Sequence, residues 1–144
     1  MKVIDASGLI LGRMATKVAK LALLGEEIAI VNCEKAIISG KPELVLKEYK
    51  KKSSRRSGTR KGPFIPKRAD RYVKRTIRGM LPKKHWTEES RGRKAYNRIK
   101  CYLGVPTEFK KEKAETVEGA SVDKLKTSNY ITLNKLLMLI RGGE

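Results

Sequence analysis

The first 32 residues, a strand, a helix and a second strand in succession, restrict the fold more than any other stretch of the chain. Lys2 to Asp5, KVID, is a short apolar run that gives way to Ala6, Ser7 and Gly8, as a strand entering a turn does. Ile10, Met14, Val18 and Leu21 then recur at close to the helical period, with Ala15, Ala19 and Ala22 beside them and Gly25 closing the segment. Ile28 to Asn32, IAIVN, has the continuous apolar character of a strand covered on both faces. This order predicts a parallel pair joined by a right-handed crossover, and therefore an α/β fold.

Ala36 to Ser39 supplies another short apolar run, Gly40 breaks it, and Pro42 stands where the first turn of a helix tolerates proline. Leu44, Val45 and Tyr49 give that helix an apolar side. Beyond Tyr49 the pattern dissolves, and residues 50–68 read as a basic extended loop. Lys50, Lys51, Lys52, Arg55, Arg56, Arg60 and Lys61 place seven cations among the thirteen residues 50–62, with no acidic or large apolar side chain between them. Such a segment cannot bury enough surface to order itself and is expected to stay mobile until an anionic partner fixes it. The rival arrangement simply continues the Pro42 helix, with the cations spread around its cylinder.

From Tyr72 to Lys84 apolar and cationic positions separate onto two helical faces. Val73, Ile77 and Met80 share one face, Arg71, Lys74, Arg75 and Arg78 fall mostly on the other, and no carboxylate stands between Asp70 and Glu88. Pro82 stops the helix after Leu81, which aims Lys83, Lys84 and His85 outward. Trp86 to Arg93 reads as an exposed polar connection and Lys94 to Arg98 as helical; Ile99 to Leu103 is too short to separate strand from helix by pattern. In the tail, a mixed-charge loop or hairpin covers Thr107 to Glu118 and a short helix lies near Ser121 to Lys126. A final helix starts at Thr132 as N-cap, with Ile131 and Leu136 as a hydrophobic staple, Leu133, Leu136, Leu137 and Ile140 facing inward, and Gly142 at the end.

With 144 residues the chain fits one domain, residues 1–144, of which 107–144 form a C-terminal extension. Its 34 basic against 15 acidic residues, a formal net charge of +19, call for a polyanionic partner. The excess is local: residues 1–46 hold 6 basic and 5 acidic side chains, residues 47–100 hold 21 and 4, and residues 101–144 hold 7 and 6. One electrostatic footprint is thus carried between two nearly neutral flanks. No apolar run reaches the length of a membrane span and no signal peptide opens the sequence, so a soluble intracellular protein without membrane contacts is expected. Cys33 and Cys101 form no Cys-x-x-Cys pair and His85 is the single histidine, so both thiols read as reduced packing residues, with neither a metal site nor a disulfide.

Motifs for small-molecule chemistry fail on inspection. Ser39-Gly40-Lys41 invites comparison with a phosphate-binding loop, but Lys35 stands where that loop needs glycine and Pro42 where it needs Ser or Thr. Gly8 and Gly12 lie between a strand and a helix without the dinucleotide spacing. No cofactor, small-molecule substrate or catalytic set is expected. The alternative, an RNA-modifying or nucleotide-dependent enzyme whose cations only gather substrate, would have to use Asp5, Asn32 and Glu34 at the carboxyl ends of the strands, and capping of the following turn or helix is the simpler role for Asp5 or Asn32.

The pattern instead suits structural RNA binding, with cations held on a fixed helix beside a basic loop. The residues expected to meet RNA are Lys50, Lys51, Lys52, Arg55, Arg56, Arg60, Lys61, Lys67, Arg68, Arg71, Lys74, Arg75, Arg78, Lys83, Lys84, Arg91, Arg93 and Arg98. Tyr49, Phe64, Tyr72, Trp86 and Tyr96 are interleaved with them; most are expected in the core or at elbows, with one or two stacking on bases.

Five blocks add a resemblance. Val3-Ile4-Asp5-Ala6; Leu11-Gly12-Arg13-Met14-Ala15; Val31-Asn32-Cys33-Glu34-Lys35 with Ser39-Gly40-Lys41; Arg78-Gly79-Met80-Leu81-Pro82-Lys83; and Arg98-Ile99-Lys100-Cys101-Tyr102 with Gly104 resemble, in order and spacing, the large-subunit ribosomal protein family thirteen. The match covers roughly residues 2–106, and Gly104-Val105-Pro106 and the tail are similar to its archaeal and eukaryotic branch. The resemblance implies a three-layer α/β/α sandwich on a short, mostly parallel sheet, and a non-catalytic protein of the cytoplasmic ribosome that binds large-subunit ribosomal RNA beside neighbouring ribosomal proteins, early in subunit assembly. The segment His85 to Ser90 departs from the compact, cationic linker expected there.

Overall fold

The structure is a computed structural model that describes residues 1–55, 62 and 64–142. Strand β1 (Lys2–Asp5), helix α1 (Leu11–Leu23) and strand β2 (Ile28–Val31) form the predicted unit, with β1 and β2 parallel and Val3 opposite Ala29. After a 3-10 turn at Cys33–Lys35 come β3 (Ile37–Ser39), α2 (Pro42–Ser54), α3 (Ala69–Met80), α4 (Arg91–Asn97) and β4 (Ile99–Cys101). Strand β4 returns to the other edge of β2, again parallel, so the sheet order is β1-β2-β4. The chain ends with β5 (Tyr130–Thr132) running directly into α5 (Leu133–Arg141).

The apolar run of β2 takes the central position because every one of its four residues can be covered on either face. Alternation sorts them. Ile28 and Ile30 join Ile4 and Ile99 in the main core under the helices, whereas Ala29 and Val31 join Val3 on the far side. The α/β expectation is met, and the cover on the far face is thin: a 3-10 turn at Thr107–Phe109 brings Phe109 over those three residues, with Tyr102 5.5 Å from it, centroid to centroid.

On the helical side α1 turns Leu11, Met14, Ala15, Val18, Ala19 and Ala22 inward. Three alanines in that stripe let α3 approach closely, and α3 answers with Ala69, Val73 and Ile77, the last two fully buried. Met80 departs from the expected apolar face. It is 42% exposed, and Leu81, just past the helix, fills the core position at 3% exposure because the extended backbone of Leu81 swings its side chain back under the helix end. Cys33 is fully buried and its thiol, hydrogen-bonded to Cys101 and cut off from water, is pushed well above the ordinary range.

Two further readings are corrected by packing. Trp86 to Arg93 is no mere exposed connection, since Ser90 caps α4 by accepting the Arg93 N–H, Gly92 is buried in that helix, and Trp86 is half-buried against the main core. Residues of the C-terminal extension pack into the same core: Glu115 exchanges backbone hydrogen bonds with Val3 and Asp5, Ile10 donates to Ala120, and Val117, Ala120, Leu133 and Leu137 lie in the main core. Thr132 stands at the start of α5, but its side chain makes no cap, since the residue belongs to β5, which pairs antiparallel with β3 and sets Thr132 opposite Ile37. Ile131 and Leu136 do share a cluster, as the staple requires, with Val45 of α2. Gly142 ends α5 in the left-handed conformation, and no helix among the described residues is long and apolar enough to cross a membrane.

Two substitutions test this packing. Ile77→Ala should destabilise the protein by about 2–5 kcal/mol in denaturant titration, and an unchanged midpoint would contradict the burial assigned to that face. At Gly92, a Cβ would overlap the Pro82 carbonyl oxygen and crowd the Trp86 ring. Gly92→Ala should therefore destabilise, although Gly→Ala inside an unobstructed helix gains about 1 kcal/mol. A gain in melting temperature would show that α4 does not press on Pro82.

Candidate nucleic-acid interface

Helix α3 links core and surface. Burial of Val73 and Ile77 fixes its rotation, which leaves Arg71, Arg75 and Arg78 exposed and Lys74 half-buried, as the two-faced pattern predicts. The cationic side is braced. Lys74 Nζ sits 4.6 Å from the centre of the Tyr96 ring, the Arg78 guanidinium lies 5.7 Å from the Trp86 ring, and Trp86 and Tyr96 meet edge to face at 6.0 Å. Arg75 Nη1 donates to the Phe64 carbonyl at 2.6 Å, tying the segment before α3 onto the helix. Arg68 pairs with Asp70 at 3.0 Å, and Arg141 of α5 donates to the carbonyl of Lys67.

Lys50, Lys51, Lys52 and Ser54 correct the loop reading, because α2 continues through Ser54 with Arg55 as its C-cap. Lysine is a good helix former, Glu48 and Lys52 pair at 3.0 Å four residues apart, and Ser53 and Ser54 return their hydroxyls to the carbonyls of Lys50 and Lys51. Only Val45 of α2 is buried, so local interactions carry those last turns, and the cations fan around the cylinder. Arg56, Arg60 and Lys61 lie outside the described residues, and with them six of the thirteen residues expected to be mobile.

Four of the five aromatic residues interleaved with the predicted cations form two pairs. Tyr49 and Tyr72 pack at 5.8 Å; burial, then the hydrogen bond with Tyr49, push the Tyr72 hydroxyl up. Trp86 and Tyr96 support cations as described, and Phe64 is 58% exposed.

The other predicted cations that the structure describes lie in different surroundings. Lys83 and Lys84 are exposed beyond α3. Arg91 opens α4 on the side of Lys20, Leu23 and Leu24 of α1, Arg93 is half-buried with its Nε withdrawn from solvent, and Arg98 is half-buried with Nη1 donating to the Ala22 carbonyl at 3.3 Å. Arg98 thus satisfies the end of α1, a helix terminus where a cation is favoured. One further cation stands beside α3. Lys100, exposed on β4, lines a hollow of about 250 Å³ with Asp70, Arg71, Lys74 and Tyr102. Strand alternation, Ile99 inward and Lys100 outward, carried that signal.

The residues that an enzyme would have needed are occupied in holding turns. Asp5 Oδ1 accepts from the Ser7 N–H at 2.9 Å and from Asn32 Nδ2 at 3.0 Å, which supports Asn32 in a left-handed conformation with φ 54°. Glu34 receives the Gly104 N–H on both oxygens, at 3.2 and 3.1 Å. Among the described residues no group of three or more His, Cys, Asp or Glu comes together as a metal site. Burial pushes the Asp5 carboxyl up, but the hydrogen bonds from Asn32 and Ser7 outweigh it and hold the group below its ordinary range. A depressed carboxylate contributes stability that is present above the unfolded pKa, about 3.9, and is lost as pH falls through the lower folded value. Asp5→Asn should accordingly be less stable at neutral pH and show a shallower loss on acidification below about pH 4; parallel acid limbs for variant and parent would contradict the assigned role.

Comparison with known proteins gives the family. The family described as Ribosomal protein L13 matches residues 1–108. The chain is 53% identical over 137 residues to the large ribosomal subunit protein uL13 of Methanosarcina barkeri, covering 94% of each chain. It is 47% identical over 134 residues to that of Methanococcoides burtonii, 92% of each chain, and 43% identical over 139 residues to that of Methanocaldococcus jannaschii, 94% of each. With the match spanning β1 to the Phe109 turn and the archaeal relatives extending it through the tail, the chain belongs to the ribosomal protein L13 family, whose members are structural rather than enzymatic.

Proposed function

We propose that the chain binds large-subunit ribosomal RNA through the cations of α3 and the end of α2, and enters the subunit early in its assembly as a single folded unit. The coarser role follows from the family: a structural constituent of the large ribosomal subunit, working in translation on the cytoplasmic ribosome among other ribosomal proteins. The observation that carries the RNA reading is the two-sided construction of α3, whose buried Val73 and Ile77 hold Arg71, Lys74, Arg75 and Arg78 at set positions. Fixed cations suit phosphates already arranged by RNA shape, and arginine forks can take two phosphate oxygens at once. Lys100 extends the same row from β4, whereas Arg98, engaged with α1, contributes least.

Neutralising phosphates releases counterions, so affinity should fall steeply with salt. Arg75→Gln with Arg78→Gln should weaken binding to a cognate ribosomal RNA fragment and flatten the salt slope by about one unit for each phosphate no longer neutralised, while the melting curve stays that of the parent. An unchanged slope would place this face in solvent. In gradient fractions of assembling subunits, the protein should appear in the lightest precursors.

A further inference from the structure

Two adjoining hollows lie where the last turns of α1 meet the end of α3 and the start of α4. The larger, of about 540 Å³, has Ala19, Leu23, Leu24 and Met80 for its floor and Lys20 and Arg91 at its edges. The second, of about 340 Å³, continues past Leu23, Leu24 and Arg91 to Glu89, Lys94 and Arg98. Leu24, at 69% exposure, is the most exposed large apolar side chain among the described residues, and Met80 follows the same groove at 42%. Thr16 Oγ1, which donates to the Gly12 carbonyl at 3.0 Å, lies 3.5 Å from Met80 Sδ at this edge.

An aliphatic floor of this kind gains nothing from a phosphate chain, and no aromatic ring lines either hollow to receive a base. Exposed contiguous apolar surface with a polar rim is the mark of a protein-binding groove. The rim is cationic, with Lys20, Arg91 and Lys94 against the single Glu89, while Arg98 is committed to the Ala22 carbonyl. We propose that this groove docks a segment of a neighbouring protein in the large subunit, which inserts one or two aliphatic or aromatic side chains between Leu24 and Met80 and offers carboxylates to Lys20, Arg91 and Lys94. Arg91 then serves protein contact rather than RNA. The docking site goes beyond the RNA reading and needs only that the chain be part of the subunit, which co-sedimentation reads separately.

The test uses the full chain, expressed in cells with Leu24→p-benzoylphenylalanine and recovered in purified large subunits. Irradiation should give a nuclease-resistant, protease-sensitive adduct to one other protein, and the attached peptide should hold an apolar side chain next to Asp or Glu. Adding Lys20→Glu and Lys94→Glu, positions outside the proposed RNA set, should lower the adduct at least fivefold per incorporated protein at low salt. An adduct to ribosomal RNA, to a second copy of this chain or to a peptide without acidic residues would overturn the proposal, as would no adduct from incorporated protein or a yield indifferent to the charge reversals. Should the Leu24 probe not enter subunits, Lys20→p-benzoylphenylalanine reads the same adduct from the rim, with Lys94→Glu alone as the charge reversal.

Discussion

Val73 and Ile77 pack against the alanine-lined stripe of α1, and this contact gives both the core and the cationic surface their geometry. Without it α3 would be a highly charged helix with nothing to define its rotation, since most helical stability in proteins comes from tertiary packing of an apolar face. With it, each arginine on α3 points from a known place. Small residues at the crossing matter as much as large ones, because Ala15, Ala19 and Ala22 set how close the two helices come.

The first unit of the fold was legible because burial on both faces of β2 and the helical stripe of α1 are written directly in residue order. The two faces of α3 were legible for the same reason, though not the fate of Met80, which depends on the chain leaving the helix at Leu81 in an extended conformation. Pairings that join distant segments were invisible. Nothing local in Tyr130 to Thr132 announces a partner in Ile37 to Ser39, and the lay of Glu115 along β1 is a tertiary fact. The helical end of α2 was misjudged because charge repulsion was weighed against burial alone. Glu48, Ser53, Ser54 and the propensity of lysine sustain it locally.

The candidate site shows the same division. Charge density pointed to α3 and α2, yet it could not tell a presented arginine from one used within the fold, such as Arg98, whose partner in α1 is 76 residues away. Nor could it show that Trp86 and Tyr96, counted among possible base-stacking groups, serve instead as rests for Arg78 and Lys74. A cation laid against a ring loses rotamer freedom before any ligand arrives, so part of the ordering cost of binding is already met in the folded protein. The exposed aliphatic side chains Leu24 and Met80 sit where α1, α3 and α4 converge, with Lys20 and Arg91 at their edge.

Coupling between Trp86 and Arg78 in RNA affinity tests most directly whether the fold prearranges its cations. A double-mutant cycle with Trp86→Leu and Arg78→Gln, read by binding to a cognate ribosomal RNA fragment at fixed salt, isolates that coupling from general destabilisation. Prearrangement predicts that the loss on Arg78→Gln is smaller by about 0.5–1 kcal/mol once the indole is gone. Strict additivity of the two changes would contradict it, leaving Arg78 a free surface charge whose position owes nothing to Trp86.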